Sequence, residues 1–310
     1  MKSPAVTISI LNYQRRDTLR LTLERAVMQD YPGLEILVVD NASTDGSDRM
    51  VAESFPTVRL VRLQENIGCA ARNMGVAVAT GDIVLTIDND VLLMSANEVG
   101  AVVEIFRERP SVACIDFQIL DADGNLSREW CHPRDWRCFA HQQFLTDNVV
   151  EGASAFRRTA FERAGGYWPP LFIGHEGFDL GLRMLDAGHD ILYSPKVRVK
   201  HLRALDARPS SRIYYTFTRN SIWIALRHHR IRSLVLSITN DLALMAFTAA
   251  RAGEWKAFLR GVRDAIAGVR RTLRTRRRLK QVTYRRLDAI RAMAPSLLAK
   301  ARRHSQERLI

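Results

Sequence analysis

Ile36-Leu37-Val38-Val39-Asp40-Asn41-Ala42-Ser43-Thr44-Asp45-Gly46-Ser47 decides the fold. Four consecutive apolar residues have no polar face, so the run reads as a strand buried on both sides, followed by a polar turn. A turn and a helix cap account for Ser43, Thr44 and Asp45 without any ligand. Asp40, closing the apolar run, is harder to explain that way. Working outward, similar runs at 6–11, 34–40, 58–63, 82–88 and 112–120 read as strands. Helical periodicity lies between them: Leu19, Leu23, Ala26 and Val27 on one face behind an Asp17 cap, and Val99, Val102, Val103 and Phe106 behind a Ser95/Glu98 capping box. This βαβαβ order predicts an α/β fold, a mostly parallel sheet flanked by helices on both faces.

Ligands of such sheets bind beyond the carboxyl ends of the strands. Those ends are polar here: Asn12-Tyr13, Asp40-Asn41, Asn66-Ile67-Gly68 and Asp88-Asn89-Asp90. No Gly-x-Gly-x-x-Gly follows the first strand and no Gly-Lys-Ser/Thr occurs, which argues against a dehydrogenase or a P-loop NTPase. A phosphate-bearing ligand would need its charge met otherwise. Asp88 and Asp90, two apart in an extended turn, can project to one side and hold Mg²⁺ or Mn²⁺ against a diphosphate. The plainer reading of the triplet is a turn after a strand.

Together and in order these motifs resemble the family 2 glycosyltransferases, nucleotide-sugar-dependent enzymes of the Rossmann-like GT-A fold, particularly the rhamnosyltransferase-like branch. Ile10-Leu11-Asn12-Tyr13, Val38 to Ser47, Asn66-Ile67-Gly68 with Arg72-Asn73 and Gly75, Ala79-Thr80-Gly81-Asp82 and Asp88-Asn89-Asp90 carry the resemblance over roughly 1–230. Gly165-Gly166-Tyr167, His175-Glu176-Gly177-Phe178-Asp179 and Val199-Lys200-His201 look like the family's acceptor-side motifs. The resemblance implies that Asn12 and Asp40 hold the base or ribose of a nucleotide-sugar donor, with Asn41, Asn66 and Arg72 close to the nucleotide. Asp88 would face ribose and metal, Asp90 would bind the metal beneath the diphosphate, and His201 would approach the metal or diphosphate from the far side. Glu176 becomes the general base of an inverting transfer to a glycan or lipid-linked acceptor. Many relatives have two adjacent acids at this point, whereas Gly177 follows Glu176 here, so Asp179 is the fallback. Glu176 is preferred because Asp179 can pair with Arg183 at i,i+4. Without the resemblance, Glu176 is a first-turn helix carboxylate and His201 a strand-end surface histidine. Residues Glu151-Gly152-Ala153-Ser154 either shape the acceptor pocket or merely punctuate a strand end.

The 310 residues are 47% hydrophobic and 25% charged, as in a soluble globular protein. Net charge is +13, yet 251–310 holds 18 Lys/Arg against 4 Asp/Glu, so that stretch carries +14 and the first 250 residues sum to −1. The division expected is a catalytic domain over 1–205 and a helical, basic extension over 206–310. Arg270-Arg271 and Arg274 to Lys280, interleaved with Leu273 and Leu279, read as a basic amphipathic helix suited to an anionic membrane surface. The apolar stretch 231–250 contains Arg232, Asn240 and Asp241, which argues for an interfacial or buried helix over a membrane span. A nucleic-acid-binding tail is the competing account of the charge, and a sugar-nucleotide nucleotidyltransferase the competing enzyme. The near-neutral first 250 residues count against specific nucleic-acid binding. Asn12-Tyr13-Gln14-Arg15-Arg16 lacks the glycines such a nucleotidyltransferase carries after its first strand. Cys131 and Cys138 are spaced too widely for the usual zinc pair, and four cysteines make no disulfide framework. With no secretory h-region at the start, the expected location is the cytoplasm, peripheral on the inner face of the cell membrane.

Overall fold

A computed structural model describes residues 3–127, 130–202, 210–230 and 242–294. They fall into two compact units, one of 3–127, 130–132, 136–172 and 176–202, the other of 133–135, 173–175, 210–230 and 242–294.

The first unit is a nine-stranded mixed sheet flanked by helices. Strands β1 (Val6–Asn12), β2 (Glu35–Asp40), β3 (Arg59–Arg62), β4 (Ile83–Asp88), β5 (Val91–Leu93), β6 (Val112–Leu120), β7 (Phe144–Thr146), β8 (Ala153–Arg157) and β9 (Asp190–His201) run in the order β3-β2-β1-β4-β8-β6-β9-β5, with β7 also on β9. The β3-β2-β1-β4 half is parallel. Beyond it β8 runs antiparallel to both β4 and β6, so the sheet is more mixed than strand-helix alternation suggests. Ile8 and Ile10 of β1, and Thr7 and Ser9 alternating with them, are all buried, as a central strand covered on both faces requires.

Helices α1 (Arg16–Val27), α2 (Ser47–Ser54), α3 (Ala71–Val78), α4 (Glu98–Glu108), α5 (Trp136–Phe139), α6 (Arg158–Ala164) and α7 (Glu176–Asp186) belong to this unit. Leu19, Leu23 and Ala26 bury the expected stripe of α1, but Val27, the last residue of the helix, is exposed. Asp17 lies inside the first turn, and Asp45 caps from another loop, accepting from the Arg16 N–H at 2.8 Å. At α4 the N-cap is Asn97. Ser95 donates to Glu98 Oε1 at 3.0 Å from two residues further out, while Glu98 Oε2 accepts from the Arg198 N–H of β9.

The second unit is helical: α8 (Ser210–His228), α9 (242–251), α10 (Trp255–Ala267), α11 (Val269–Arg274) and α12 (Gln281–Arg291). Tyr214, Ala249, Ala257 and Phe258 form a small core, and Trp223 Nε1 donates to the Ala265 carbonyl. The cationic stretch is not one amphipathic helix. After Arg274 the chain extends over 276–280 and lies along the end of α8, where Arg276 donates to the Leu226 and His229 carbonyls at 2.6 and 2.8 Å. Carbonyls at a helix C-terminus lack intrahelical donors and carry the negative end of the dipole, so they draw a guanidinium out of helical register. Of the expected apolar stretch 231–250, residues 231–241 lie outside the described residues. Among the described residues no helix is long and apolar enough to cross a membrane.

Candidate active site

Asn12 stands at the centre of the rim formed by the strand ends. Its Nδ2 donates to Asp40 Oδ1 at 2.9 Å and to Ser43 Oγ at 3.2 Å, and its Oδ1 accepts from Asn89 Nδ2 at 2.7 Å. Asp40 Oδ2 accepts from the Ser43 N–H at 3.0 Å. Asn12 and Asp40 are both fully buried, so the carboxylate that closes β2 braces the rim from beneath. A second lattice adjoins it: Asn41 Nδ2 donates to Asn66 Oδ1 and to the Gly68 carbonyl, while Asn41 Oδ1 accepts from the Ile67 N–H. Gln14 and Ala42 hold left-handed backbone at φ 53° and 66°, a conformation costing of order 1–3 kcal/mol that the surrounding bonds sustain.

Asp90 and His201 meet because β5 pairs antiparallel with β9, Val91 opposite His201. Asp90 Oδ1 lies 3.4 Å from His201 Nε2, and Asp90 Oδ2 lies 3.8 Å from the Arg15 guanidinium. A carboxylate oxygen with an imidazole nitrogen, partly exposed at a strand end, is a donor set that fits Mn²⁺ better than Mg²⁺. Asp88 does not join them. Its carboxylate pairs with the buried Arg72 guanidinium, which also donates to Cys69 Sγ at 3.0 Å. Arg72 thus engages the Asp88 carboxylate that was expected to project together with Asp90. Among the described residues no three His, Cys, Asp or Glu side chains are grouped for a metal.

Glu176 opens α7 and is 4% exposed. The backbone before it is unusual, with Phe172, Gly174 and His175 all at positive φ. Asp179, fully buried, takes two hydrogen bonds from Arg183 at 2.6 and 3.0 Å, the i,i+4 pair expected. Arg183 also donates to the Ala164 and Gly166 carbonyls, so this pair ties α7 to the end of α6.

Around Glu176 the structure gathers residues that the sequence reading did not connect to it. The Cys69 thiol lies close to Glu176, and burial pushes that thiol well up. Glu151 Oε1 accepts from the Gly177 N–H at 2.6 Å. Burial, then the charge of Glu176, push the Glu151 carboxyl up to about 8. Burial opposes the charge of Arg72, but the Asp88 carboxylate beside it counters that and holds the guanidinium charged. Tyr167 is buried beside the same groups. Glu151 lies 26 residues from Gly177 in sequence, and the one available signal was a glycine in the first turn of a helix. Gly152 next to it is no mere punctuation: a Cβ there would lie 2.5 Å from Asp88 Cγ.

Aromatic side chains between 130 and 144 pack together on strand β9. Trp130 and Phe144 surround His132 and Tyr193, with ring centroids 4.8 to 6.0 Å apart. His132 Nδ1 lies 3.1 Å from Thr146 Oγ1 and 4.0 Å from the buried Asp116 carboxyl. Burial raises Asp116 to about 7 and lowers His132 to about 3.

Residues 7–165 match the model of the family described as Glycosyl transferase family 2. The succinoglycan biosynthesis protein ExoO of Rhizobium meliloti is 36% identical over 55% of this chain and 48% of its own. The N-acetylglucosaminyl-diphospho-decaprenol L-rhamnosyltransferase of Mycobacterium tuberculosis is 24% identical over 68% of this chain and 78% of its own. The chain spans less than half the length of several curated relatives it matches. A mannosyltransferase from Pyrobaculum calidifontis, solved with GDP-Man and Mn²⁺, shares the GT-A fold with a TM-score of 0.55 at 21% identity, over 99% of this chain and 88% of its own.

Proposed function

The chain belongs to glycosyl transferase family 2, and from that premise we propose an inverting transfer of a sugar from a nucleotide diphosphate to a hydroxyl of a glycan or lipid-linked acceptor. The observation that carries this reading is the Asp90–His201 pair, 3.4 Å apart at the carboxyl ends of the strands, where a diphosphate would lie. The lattices of Asn12, Asp40, Asn41 and Asn66 hold the rim loops as a rigid bed for the nucleotide. Arg72 fixes Asp88 at the edge of that bed, on the ribose side. A divalent cation held by Asp90 and His201 would offset the charge of the departing diphosphate.

In the transfer, the acceptor oxygen forms a bond to the anomeric carbon while the bond from that carbon to the diphosphate oxygen breaks. The leaving nucleoside diphosphate keeps the electron pair, and Glu176 takes the acceptor proton. Asp179, already engaged by Arg183, holds α7 in place. The domain over 1–205 carries these steps. The basic region over 206–310 brings the enzyme to an anionic membrane surface on the cytoplasmic side, where a lipid-linked acceptor would be met. The mycobacterial relative's name supports a lipid-linked acceptor and a rhamnosyl donor.

The test is turnover of UDP-, GDP- and dTDP-linked sugars with and without Mn²⁺, in wild type and in Glu176→Gln. The variant should bind donor and lose transfer by roughly two to four orders of magnitude, the worth of a positioned general base. If Asp179→Asn loses transfer while Glu176→Gln keeps it, the base is Asp179.

A further inference from the structure

Two carboxyl groups flank the first peptide link of α7. Glu176 is the first helical residue, and the next N–H, that of Gly177, donates to Glu151 at 2.6 Å. The first N–H groups of a helix have no intrahelical partner, and a side-chain oxygen is what ordinarily satisfies them from the residue just before the helix. Here the oxygen comes from the segment leading into β8, 26 residues away in sequence. Position 177 is shaped to receive it: a Cβ there would lie 2.7 Å from Glu151 Oε1 and 2.9 Å from its Cδ. Any side chain would push Glu151 off the helix start.

Taking Glu176 as the base, as proposed above, we infer that Glu151 is its positioning residue, capping the first turn of α7 through the Gly177 N–H and so holding the backbone that carries Glu176. Burial, and after it the charge of Glu176, push the Glu151 carboxyl up.

Cys69 and Tyr167, close to these two carboxyl groups, have both been pushed up by burial and stay neutral at pH 7. Arg72 supplies one positive charge, already engaged by Asp88.

The test has two independent arms. In ligand-free protein with ¹³C-labelled glutamate carboxyls, wild type should show a carboxyl that titrates near pH 8, and Glu151→Gln should lack it. A wild-type spectrum with every glutamate titrating below pH 6 overturns the placing of Glu151 in a buried position beside Glu176, whether or not Glu176 is the base. In the transfer assay, Glu151→Ala should lower kcat at least tenfold with donor KM within twofold. Glu151→Gln, which keeps an oxygen for the Gly177 N–H, should recover most of that loss, and circular dichroism should show both variants folded. If Glu151→Gln is as impaired as Glu151→Ala, or if kcat falls less than twofold in Glu151→Ala, the positioning role is wrong. A wild-type protein that turns over no donor would refute the functional reading, and the titration would still decide the pairing.

Discussion

Gly152→Ala adds one methyl group where the structure has no room for it. The new Cβ would lie 2.5 Å from Asp88 Cγ and 3.0 Å from its Oδ1, whereas ordinary contact starts at 3.4 Å, so the carboxyl carbon must retreat by about 0.9 Å. Asp88 is a short side chain with little freedom to do so. Its carboxylate is pinned by Arg72, and its N–H donates to the Gly152 carbonyl at 3.1 Å. Overpacking of this kind costs about 1–3 kcal/mol. If the retreat also breaks the pair, the Arg72 guanidinium, 6% exposed, loses its carboxylate partner, and the cost rises toward 3–5 kcal/mol. Urea unfolding should therefore place Gly152→Ala at least 1 kcal/mol below wild type. The cause is isolated by a double-mutant cycle with Asp88→Ala, which removes the atoms the methyl would strike. In that background Gly152→Ala should cost less than about 0.5 kcal/mol, the additivity error of such cycles. An equal cost in both backgrounds would mean that the strand, not Asp88, rejects the methyl, and the account of Gly152 would fail.

Asp90→Asn should abolish metal-dependent donor turnover while leaving the urea midpoint unchanged, because its partners are the partly exposed Arg15 and His201; retained Mn²⁺ stimulation would remove Asp90 from the metal site. Asp116 has a folded-state value near 7, above its usual 3.8, so its contribution to stability is fully present below pH 4 and is lost as pH rises through 7. Asp116→Asn should therefore gain stability relative to wild type between pH 5 and pH 8, by a few kcal/mol at most for about three pK units; parallel urea midpoints across that range refute the burial argument. Wild type should bind vesicles containing anionic lipid and leave them as salt rises. Substituting the exposed Arg270, Arg274, Arg277, Arg278 and Lys280 by Gln should remove most of that binding, at about 1 kcal/mol per charge, and undiminished binding would sink the membrane reading. Arg271, stacked over Trp223, and Arg276, capping α8, are left in place so that the helical unit keeps its packing.

The parallel half of the sheet was legible because β1, β2 and β4 are short, mostly apolar runs ending on a polar residue, and the strand ends lie within one residue of the expected ones. In the other half the run 112–120 forms β6 as expected, but the pairing was not legible, for a physical reason. Strand pairing is non-local, and nothing in Ala153–Arg157 states that it will lie antiparallel between β4 and β6. Strand β5 escaped notice because three residues, Val91–Leu93, directly after an Asp-Asn-Asp turn, are too few to show a period. The same limit governs the site. Spacing placed Asp88 and Asp90 side by side on the chain, but spacing cannot say that Arg72 reaches Asp88 first. The i,i+4 relation of Asp179 and Arg183 is local, and there the sequence sufficed. The basic tail marks the opposite error. Charge and apolar residues interleave over 270–280 as in an amphipathic helix, yet the chain leaves the helix after Arg274 and Arg276 donates to the carbonyls ending α8.

Arg72 links Asp88 to the surroundings of Glu176. One guanidinium pairs with Asp88 at the rim and also donates to the Cys69 thiol, which lies close to Glu176. In a secluded environment such links are worth more than in water, because little solvent screens them.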